Sequence, residues 1–204
     1  MIAIVDYGLG NIRAFANVYK NLDIPFVIAA KPSDLEGADR IILPGVGAFD
    51  EAMELLAKSG MREPLEALVL GKGMPVLGIC VGMQMLANSS EEGKLPGLGW
   101  IDGTVRKFDV SQLAQRTRLP HMGWNQVDPS GGNPLFDGLA EGSRFYFLHS
   151  YYFEARNGQD TAAETEYGRR FSCAVRSRNI HGVQFHPEKS HGNGVRLLKN
   201  FGSL

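Results

Sequence analysis

The residues best suited to chemistry lie in the segment MPVLGICVGMQML, residues 74–86, where an apolar run ends at a cysteine. Cys80 has Gly78 two positions before it and Gly82 two positions after it. This is the spacing of the Gly-x-Ser-x-Gly nucleophile elbow, in which a sharp strand-to-helix turn exposes the nucleophile and leaves no room for flanking side chains. The pattern predicts a nucleophilic Cys80 whose thiolate is favoured by the N-terminus of the following helix. A structural cysteine at a tight turn would show the same pattern.

Backbone amides beside this cysteine could stabilise an oxyanion. The N–H of Val81, directly after the nucleophile, is a ready donor. The segment ILPGVGAF (42–49) follows another apolar run, which is the usual place for a binding loop in an open α/β sheet. Glycines on both sides of Val46 would let its peptide reorient toward the same oxyanion.

A base and its orienting group occur near the end of the chain, in GVQFHPEKS (182–190). Alternate side chains of an extended chain share a face, and Pro187 resists helical coiling, so we expect Glu188 to lie alongside His186. A carboxylate beside an imidazole fixes its tautomer and stabilises the imidazolium. We therefore predict a catalytic triad in the chain order Cys80, His186, Glu188.

The elements that must position these groups follow a strand–helix rhythm through the first ninety residues. Predicted strands cover 2–6, 25–29, 40–45 and 75–79, and predicted helices cover 11–22, 48–58, 61–71 and the segment VGMQMLAN (81–88). In the second half, strand-like stretches follow one another, and a final helix covers about 192–201. The pattern predicts one α/β domain over 1–204, with an open, mixed, mainly parallel sheet flanked by helices and antiparallel strands in the C-terminal half.

Composition excludes several classes of function. The net charge of -1 does not indicate binding to nucleic acid or to a membrane surface, and no apolar stretch reaches the about 18 residues that a membrane span needs. The absence of a leader pattern and the presence of only two cysteines favour a cytoplasmic protein. The histidines lack metal-site spacing, and Arg13 replaces the third glycine of a dinucleotide fingerprint, so we expect no metal and no cofactor.

Three segments together resemble a known family. PGVGAF, GICVGMQML and VQFHPEKS occur in the order and near the spacing of the class I, triad-type glutamine amidotransferases. RLPHMGWNQV, FYFLHSYYF and GVQFHPEKSHGNGVRLLKNF resemble, more narrowly, the glutaminase subunits of imidazole glycerol phosphate synthase. The family usually has Leu after the nucleophile, where this chain has Val81; because the donor there is a backbone N–H, the oxyanion hole should be preserved.

The resemblance implies a mechanism and a binding site. Cys80 attacks the side-chain amide of glutamine, His186 protonates the leaving ammonia, and water then releases glutamate from a γ-glutamyl thioester. Val81 N–H and the Val46 peptide would hold the oxyanion. By motif position, the contacts to glutamine are Gly47, Gln84, Glu92 and the backbone around His149, Ser150 and Tyr151.

A partner is implied as well. Free ammonia in water becomes ammonium, which is not nucleophilic, so the ammonia needs a dry route to an acceptor site. The chain is too short to contain a second large acceptor domain, so this site should lie on another chain. In the family, this partner is a (β/α)₈-barrel cyclase subunit, which forms a heterodimer with the glutaminase. The resemblance places four residues near the partner face or the ammonia exit: Asn11, Trp124, Tyr146 and Lys189. Each has a structural alternative, namely a helix cap for Asn11, core packing for the two aromatic residues and a solvated charge for Lys189. His121 could also contact the partner.

Other functions remain open at this stage. A related glutaminase could supply another pathway, and bacterial sugar-amidine relatives also pair with barrel partners. A binding module could retain the fold without catalysis, although all three triad residues are present. A cysteine peptidase could use a similar elbow, but Gln84 and the segment HSY (149–151) argue for glutamine.

Overall fold

A large mixed sheet forms the centre of the protein. The computed structural model describes residues 1–109, 111 and 118–204, and within these residues eleven strands form one sheet and two form another. In chain order, the strands are β1 (Ile2–Val5), β2 (Phe26–Ala29), β3 (Arg40–Gly45), β4 (Val76–Cys80), β5 (Ser89–Ser90), β6 (Gly103–Lys107), β7 (His121–Gln126), β8 (Asp128–Pro129), β9 (Arg144–His149), β10 (Tyr151–Ala155), β11 (Thr161–Glu166), β12 (Arg170–Ser177) and β13 (Ile180–Val183).

The central strands of the large sheet are parallel. Strand order is β2-β1-β3-β4-β13-β12-β10-β6-β5, and each neighbouring pair from β2 through to β13 runs parallel. Every residue of β1, β4 and β13 is buried, as expected for strands that are covered on both faces. Beyond β13, the pairs β13–β12, β12–β10 and β10–β6 are antiparallel. The predicted fold class, including its antiparallel C-terminal half, is confirmed.

Five α-helices accompany the sheet in the described part of the chain. They are α1 (Ile12–Asn21), α2 (Phe49–Lys58), α3 (Arg62–Glu66), α4 (Val81–Gln84) and α5 (His191–Gly202). On α1, the buried residues Phe15, Ala16 and Tyr19 form the apolar stripe of an amphipathic helix. The helix predicted over 61–71 divides into α3 and a π-helical turn at Ala67–Gly71.

The helix after Cys80 is shorter than predicted. It ends at Gln84, whereas the sequence pattern extended it to residue 88. The N–H groups of Leu86 and Ala87 bond to carbonyl oxygens only three residues back, and the N–H of Asn88 bonds to the carbonyl oxygen of Gly103. Because no further bond to the fourth residue back forms, the α-helix does not continue.

The small sheet of β7 and β9 was not predicted. The two antiparallel strands pair His121 with His149, Met122 with Leu148 and Trp124 with Tyr146. Their side chains alternate, so that His121, Phe145, Phe147 and His149 are buried while Met122, Trp124 and Leu148 are exposed. This sheet therefore buries one face against the core and leaves an apolar outer face.

No helix in the described residues is long and apolar enough to cross a membrane.

Candidate active site

Three neighbouring strand ends bring the predicted catalytic segments together. The register pairs Gly45, the last residue of β3, with Cys80, the last residue of β4. On the other side of β4, Ile79 pairs with Val183, the last residue of β13, and the chain then continues to His186. Because all three strands are parallel, the loop with Val46, the cysteine and the histidine meet at one edge of the sheet.

The turn at Cys80 has the strained geometry of an elbow. Cys80 has φ of 56° and ψ of -112°, in the left-handed half of conformational space that non-glycine residues avoid. A Cβ on Gly78 would lie 2.6 Å from the carbonyl oxygen of Gly82, and a Cβ on Gly82 would lie 2.0 Å from the carbonyl oxygen of Leu43. The steric requirement for both glycines is therefore present in the structure.

His186 and Glu188 are paired, but not in the way the sequence suggested. His186 Nδ1 lies 2.9 Å from Glu188 Oε1, and both side chains are buried. The segment is extended only as far as His186, because Pro187–Lys189 forms a 3₁₀ turn. The expectation of an extended chain was wrong: Pro187 occupies the first position of a short helix, where its fixed φ is favourable. The turn folds the carboxylate back onto the imidazole.

His186 and Glu188 each stabilise the charged form of the other. Burial disfavours the charged form of His186, but hydrogen bonds and attraction from Cys80 and Glu188 outweigh it and raise the pKa of the imidazole to about 10. Burial also disfavours the charge on Glu188, yet the hydrogen bond and attraction of His186 hold the pKa of this carboxyl below its usual value. The Glu188 carboxylate and the Cys80 side chain thus favour the protonated form of His186.

Asn11 is the second hydrogen-bond donor to the carboxylate. Its Nδ2 donates to Glu188 Oε1 at 2.8 Å. Asn11 precedes α1 without a side-chain capping bond, so the helix-cap alternative is wrong. The residue lies between the start of the first helix and the segment that follows β13.

A cavity of about 490 Å³ opens above the cysteine. It is lined by Asn11, Val46, Gly47, Cys80, Val81, Gln84, Glu92, Pro120, Leu148, His149, Ser150, Tyr151, His186 and Lys189. All six residues that were predicted to contact glutamine are in this set, together with the nucleophile, the base and both oxyanion positions. Glu188 lies behind His186, and Trp124 and Tyr146 lie outside the lining.

Gln84 and Gln184 form a buried amide pair beside the sulfur. Gln84 Nε2 donates to the carbonyl oxygen of Tyr151 at 3.2 Å and to Gln184 Oε1 at 3.0 Å. Gln184 Nε2 lies 3.8 Å from Cys80 Sγ, and the residue is fully buried. Sequence reasoning missed Gln184. The available signal was a glutamine inside the apolar run GVQF, two positions before the predicted base.

His149 positions the wall of the cavity through hydrogen bonds. Its Nδ1 donates to the carbonyl oxygen of Tyr151 at 2.7 Å, so its Nε2 accepts from Nδ1 of His121 at 2.9 Å. Burial lowers the pKa of His149 to about 3 and that of His121 to about 4, so both are neutral. His121 is buried and stacked between Phe147 and Tyr167, so its suggested contact with a partner is wrong.

Glu92 is held by the start of α2. Its Oε2 accepts from the N–H of Phe49 at 3.0 Å, and Asp50 in turn accepts from the N–H groups of Lys94 and Leu95. These reciprocal bonds fix the loop with Glu92 at the cavity wall.

Trp124, Tyr146 and Lys189 lie close together, and of these three residues only Lys189 also lines the cavity. The rings of Trp124 and Tyr146 lie 6.2 Å apart, and Lys189 Nζ lies 5.9 Å from the centroid of the Tyr146 ring. Trp124 is 38% exposed, so the core-packing alternative is wrong for this residue.

Within the described residues, no group of three or more His, Cys, Asp or Glu side chains could hold a metal ion.

Comparison with known proteins agrees with this geometry. Residues 3–203 match the glutamine amidotransferase class-I family, so the chain belongs to the class I glutamine amidotransferases. It is 60% identical to the imidazole glycerol phosphate synthase subunit HisH of Bdellovibrio bacteriovorus and 52% identical to that of Leptospira interrogans, over the full length of each chain. A solved glutamine amidotransferase shares the fold, with a TM-score of 0.76 at 18% identity over 100% of this chain and 99% of the other. The resemblance seen in the sequence is confirmed.

Proposed function

We propose that this chain is the glutaminase subunit of an imidazole glycerol phosphate synthase. It hydrolyses glutamine to glutamate and ammonia and passes the ammonia to a cyclase subunit in histidine biosynthesis. The observation that carries this proposal is the buried Cys80–His186–Glu188 arrangement, on a strained elbow above a cavity, in a chain 60% identical to a HisH subunit.

The chemistry begins at the sulfur. The Cys80 thiolate attacks the amide carbon of glutamine, and the negative charge moves to the carbonyl oxygen, where the Val81 N–H and the Val46 peptide stabilise it. His186, which is protonated and paired with the Glu188 carboxylate, gives its proton to the leaving nitrogen, and ammonia departs. The γ-glutamyl thioester remains on Cys80.

Hydrolysis reverses the role of the histidine. Neutral His186 accepts a proton from water, the resulting hydroxide adds to the thioester carbon, and the sulfur leaves as thiolate with release of glutamate. Glu188 keeps the imidazole in one orientation through both steps. Gln84, Glu92, Gly47 and the segment 149–151 hold the amino-acid end of glutamine.

The partner is proposed to be a (β/α)₈-barrel cyclase that docks over the cavity mouth. An exposed apolar surface lies there, formed by Met122, Trp124, Tyr146 and Leu148 on the outer face of β7 and β9, and we call it the β7–β9 face. Leu148 belongs both to this face and to the cavity lining. A partner that covers the β7–β9 face would enclose the path of ammonia. The reaction is proposed to take place in the cytoplasm, where the nucleophilic thiol stays reduced.

The decisive experiment measures glutamate release from glutamine. The chain is assayed alone, with a cyclase subunit, and with the cyclase subunit plus its ribotide acceptor ligand. We expect release to depend on Cys80 and to rise when partner and acceptor are present. Release by Cys80→Ala equal to that of the wild type would indicate a non-catalytic module, and peptide cleavage without glutamate release would indicate a peptidase. Equal release with and without the cyclase would exclude a switching role for the partner.

A further inference from the structure

Gln184 is a buried polar side chain that the mechanism above does not use. It lies in an apolar run, is fully buried, and directs Nε2 toward Cys80 Sγ at 3.8 Å. A buried amide must be hydrogen-bonded, because an unpaired one would lose the free energy of its bonds with water. The sulfur is therefore one of the groups that satisfy this side chain.

The orientation of the Gln184 amide follows from its neighbours. The carbonyl oxygen of Tyr151 can only accept, so the end of Gln84 that faces it is Nε2. The same Nε2 faces Gln184 at 3.0 Å, so the end of Gln184 that meets it is the oxygen Oε1. The nitrogen of Gln184 is thereby turned toward the sulfur. A backbone carbonyl thus fixes the orientation of two side-chain amides in series.

We propose that Gln184 is a catalytic residue whose side-chain N–H donates a hydrogen bond to the sulfur of Cys80. The donor stabilises the thiolate before attack and again when the sulfur leaves the thioester. This catalytic role of Gln184 rests on the proposed glutaminase function. A second consequence concerns Gln84. Both of its N–H groups are already engaged, so only its carbonyl oxygen is available to a ligand and it must bind a donor group of glutamine.

Other groups also act on the sulfur. His186 hydrogen-bonds and attracts it, and Glu188 acts through His186. The hydroxyl of Tyr7 interacts electrostatically with Cys80, donates to the carbonyl oxygen of Pro44, and stays neutral because burial raises the pKa of this tyrosine. Gln184 differs from His186 and Glu188 because its side chain is uncharged at every pH, and it differs from Tyr7 because its N–H faces the sulfur rather than a backbone carbonyl.

The test measures alkylation of Cys80 by iodoacetamide as a function of pH. Cys173, the other cysteine of the chain, is fully buried. A Cys173→Ala background leaves Cys80 as the one thiol, and Gln184→Met replaces the amide with an apolar side chain of similar size. We expect the alkylation rate at pH 7 to fall about tenfold, the midpoint of the curve to move up by about one pH unit, and the plateau at high pH to stay the same. Thr165→Val, which removes a different buried hydrogen bond, should leave the curve unchanged. Superimposable curves for Gln184→Met and the background would overturn the proposal.

A second measurement needs no substitution at Gln184. In the wild-type protein, the NMR resonances of the Gln184 side-chain amide should move with pH over the range in which Cys80 becomes alkylated, and this movement should disappear in Cys80→Ala. Amide resonances that do not respond to the thiol would also overturn the proposal. Neither readout requires glutamine or a partner, so a failure of the proposed glutaminase function would be seen separately, in the glutamate assay.

Discussion

Asn11 and His186 bind the same oxygen of Glu188. Asn11 Nδ2 donates to Oε1 at 2.8 Å, and His186 Nδ1 lies 2.9 Å from that atom. The two ends of the Asn11–Glu188 bond are 177 positions apart in the chain. A carboxylate held by two donors cannot swing away from the imidazole without breaking both bonds, so the start of α1 takes part in orienting the base.

Asn11→Ala should therefore slow catalysis more than it weakens glutamine binding. Loss of one hydrogen bond to a charged group corresponds to about tenfold in kcat, with KM nearly unchanged. Asn11→Asp should lose more, since it replaces the donor by a second negative charge beside Glu188. Glutamate release by the complex gives both constants, and a separate binding experiment with the cyclase subunit shows whether the partner still docks. An unchanged kcat for Asn11→Ala would mean that His186 alone orients the carboxylate.

Glu188→Gln should remove the anion that stabilises the imidazolium. The side chain is 1% exposed, so the lost interaction is not replaced by water. Loss of a buried charge-assisted bond of about 3 kcal/mol lowers the rate by about 10². Glu188→Asp keeps the charge at a shorter reach and should retain more activity than Glu188→Gln. The steady-state rate of glutamate release is the measurement, and a Gln variant as active as the Asp variant would show that the charge at this position is not needed.

The elbow glycines can be tested through stability. In Gly82→Ala, the added Cβ would lie 2.0 Å from the backbone oxygen of Leu43, which cannot rotate away. We expect the free energy of unfolding to fall by about 3 kcal/mol. Gly192→Ala is the matched control, because it lies in α5 with no atom within 4 Å of the added Cβ. Urea unfolding of both variants decides the point: equal stabilities would mean that α4 moves away from β3 at little cost.

The neutral buried histidines predict a loss of stability in acid. His149, His121 and His181 have pKa values lowered by burial to about 3, 4 and 4, respectively, whereas the unfolded chain binds protons near the ordinary value of 6.5. Below pH 6.5, the unfolded state therefore holds more protons than the folded state, and the free energy of unfolding decreases as pH falls toward 4. Each histidine contributes a slope of about 1.4 kcal/mol per pH unit.

A single substitution isolates one of these slopes. His181 lies on β13, and its Nδ1 is buried without a hydrogen-bond partner among the described residues. His181→Met should reduce the pH dependence between pH 6 and 5 by about one proton, measured by urea unfolding at several pH values. His186 does not disturb this window, because its raised pKa keeps it charged when folded and the unfolded chain also becomes charged below 6.5. A slope that stays the same in His181→Met would show that His181 is protonated in the folded protein.

The sequence predicted the parallel half of the fold and the triad because their signals are local. Runs that are apolar at every position mark strands covered on both faces, and the glycine spacing around Cys80 is a pattern within five residues, even though the Cβ that Gly82 lacks would collide with Leu43 of β3. The β7–β9 sheet was missed because HMGWNQ is neither uniformly apolar nor regularly alternating, and its partner strand lies some twenty residues away. Gln184 was missed for a related reason. Its role depends on Gln84 and Cys80, which come from elements distant in the chain.

The last prediction concerns the β7–β9 face as a docking surface for the cyclase subunit. Met122 is 65% exposed and pairs with Leu148 at the cavity mouth, so Met122→Asp would place a charge in the proposed interface. We expect the affinity for the cyclase subunit to fall by about 2 kcal/mol, or about thirtyfold, because a desolvated charge in an apolar interface has no partner. Leu70→Asp is the control. Leu70 is 57% exposed and precedes the first residue of β4, whereas Cys80 is the last residue of that strand. Leu70 is therefore an exposed apolar residue away from the cavity mouth. Calorimetric titration with the cyclase subunit compares the two variants, and a similar affinity for both would place the partner on another surface.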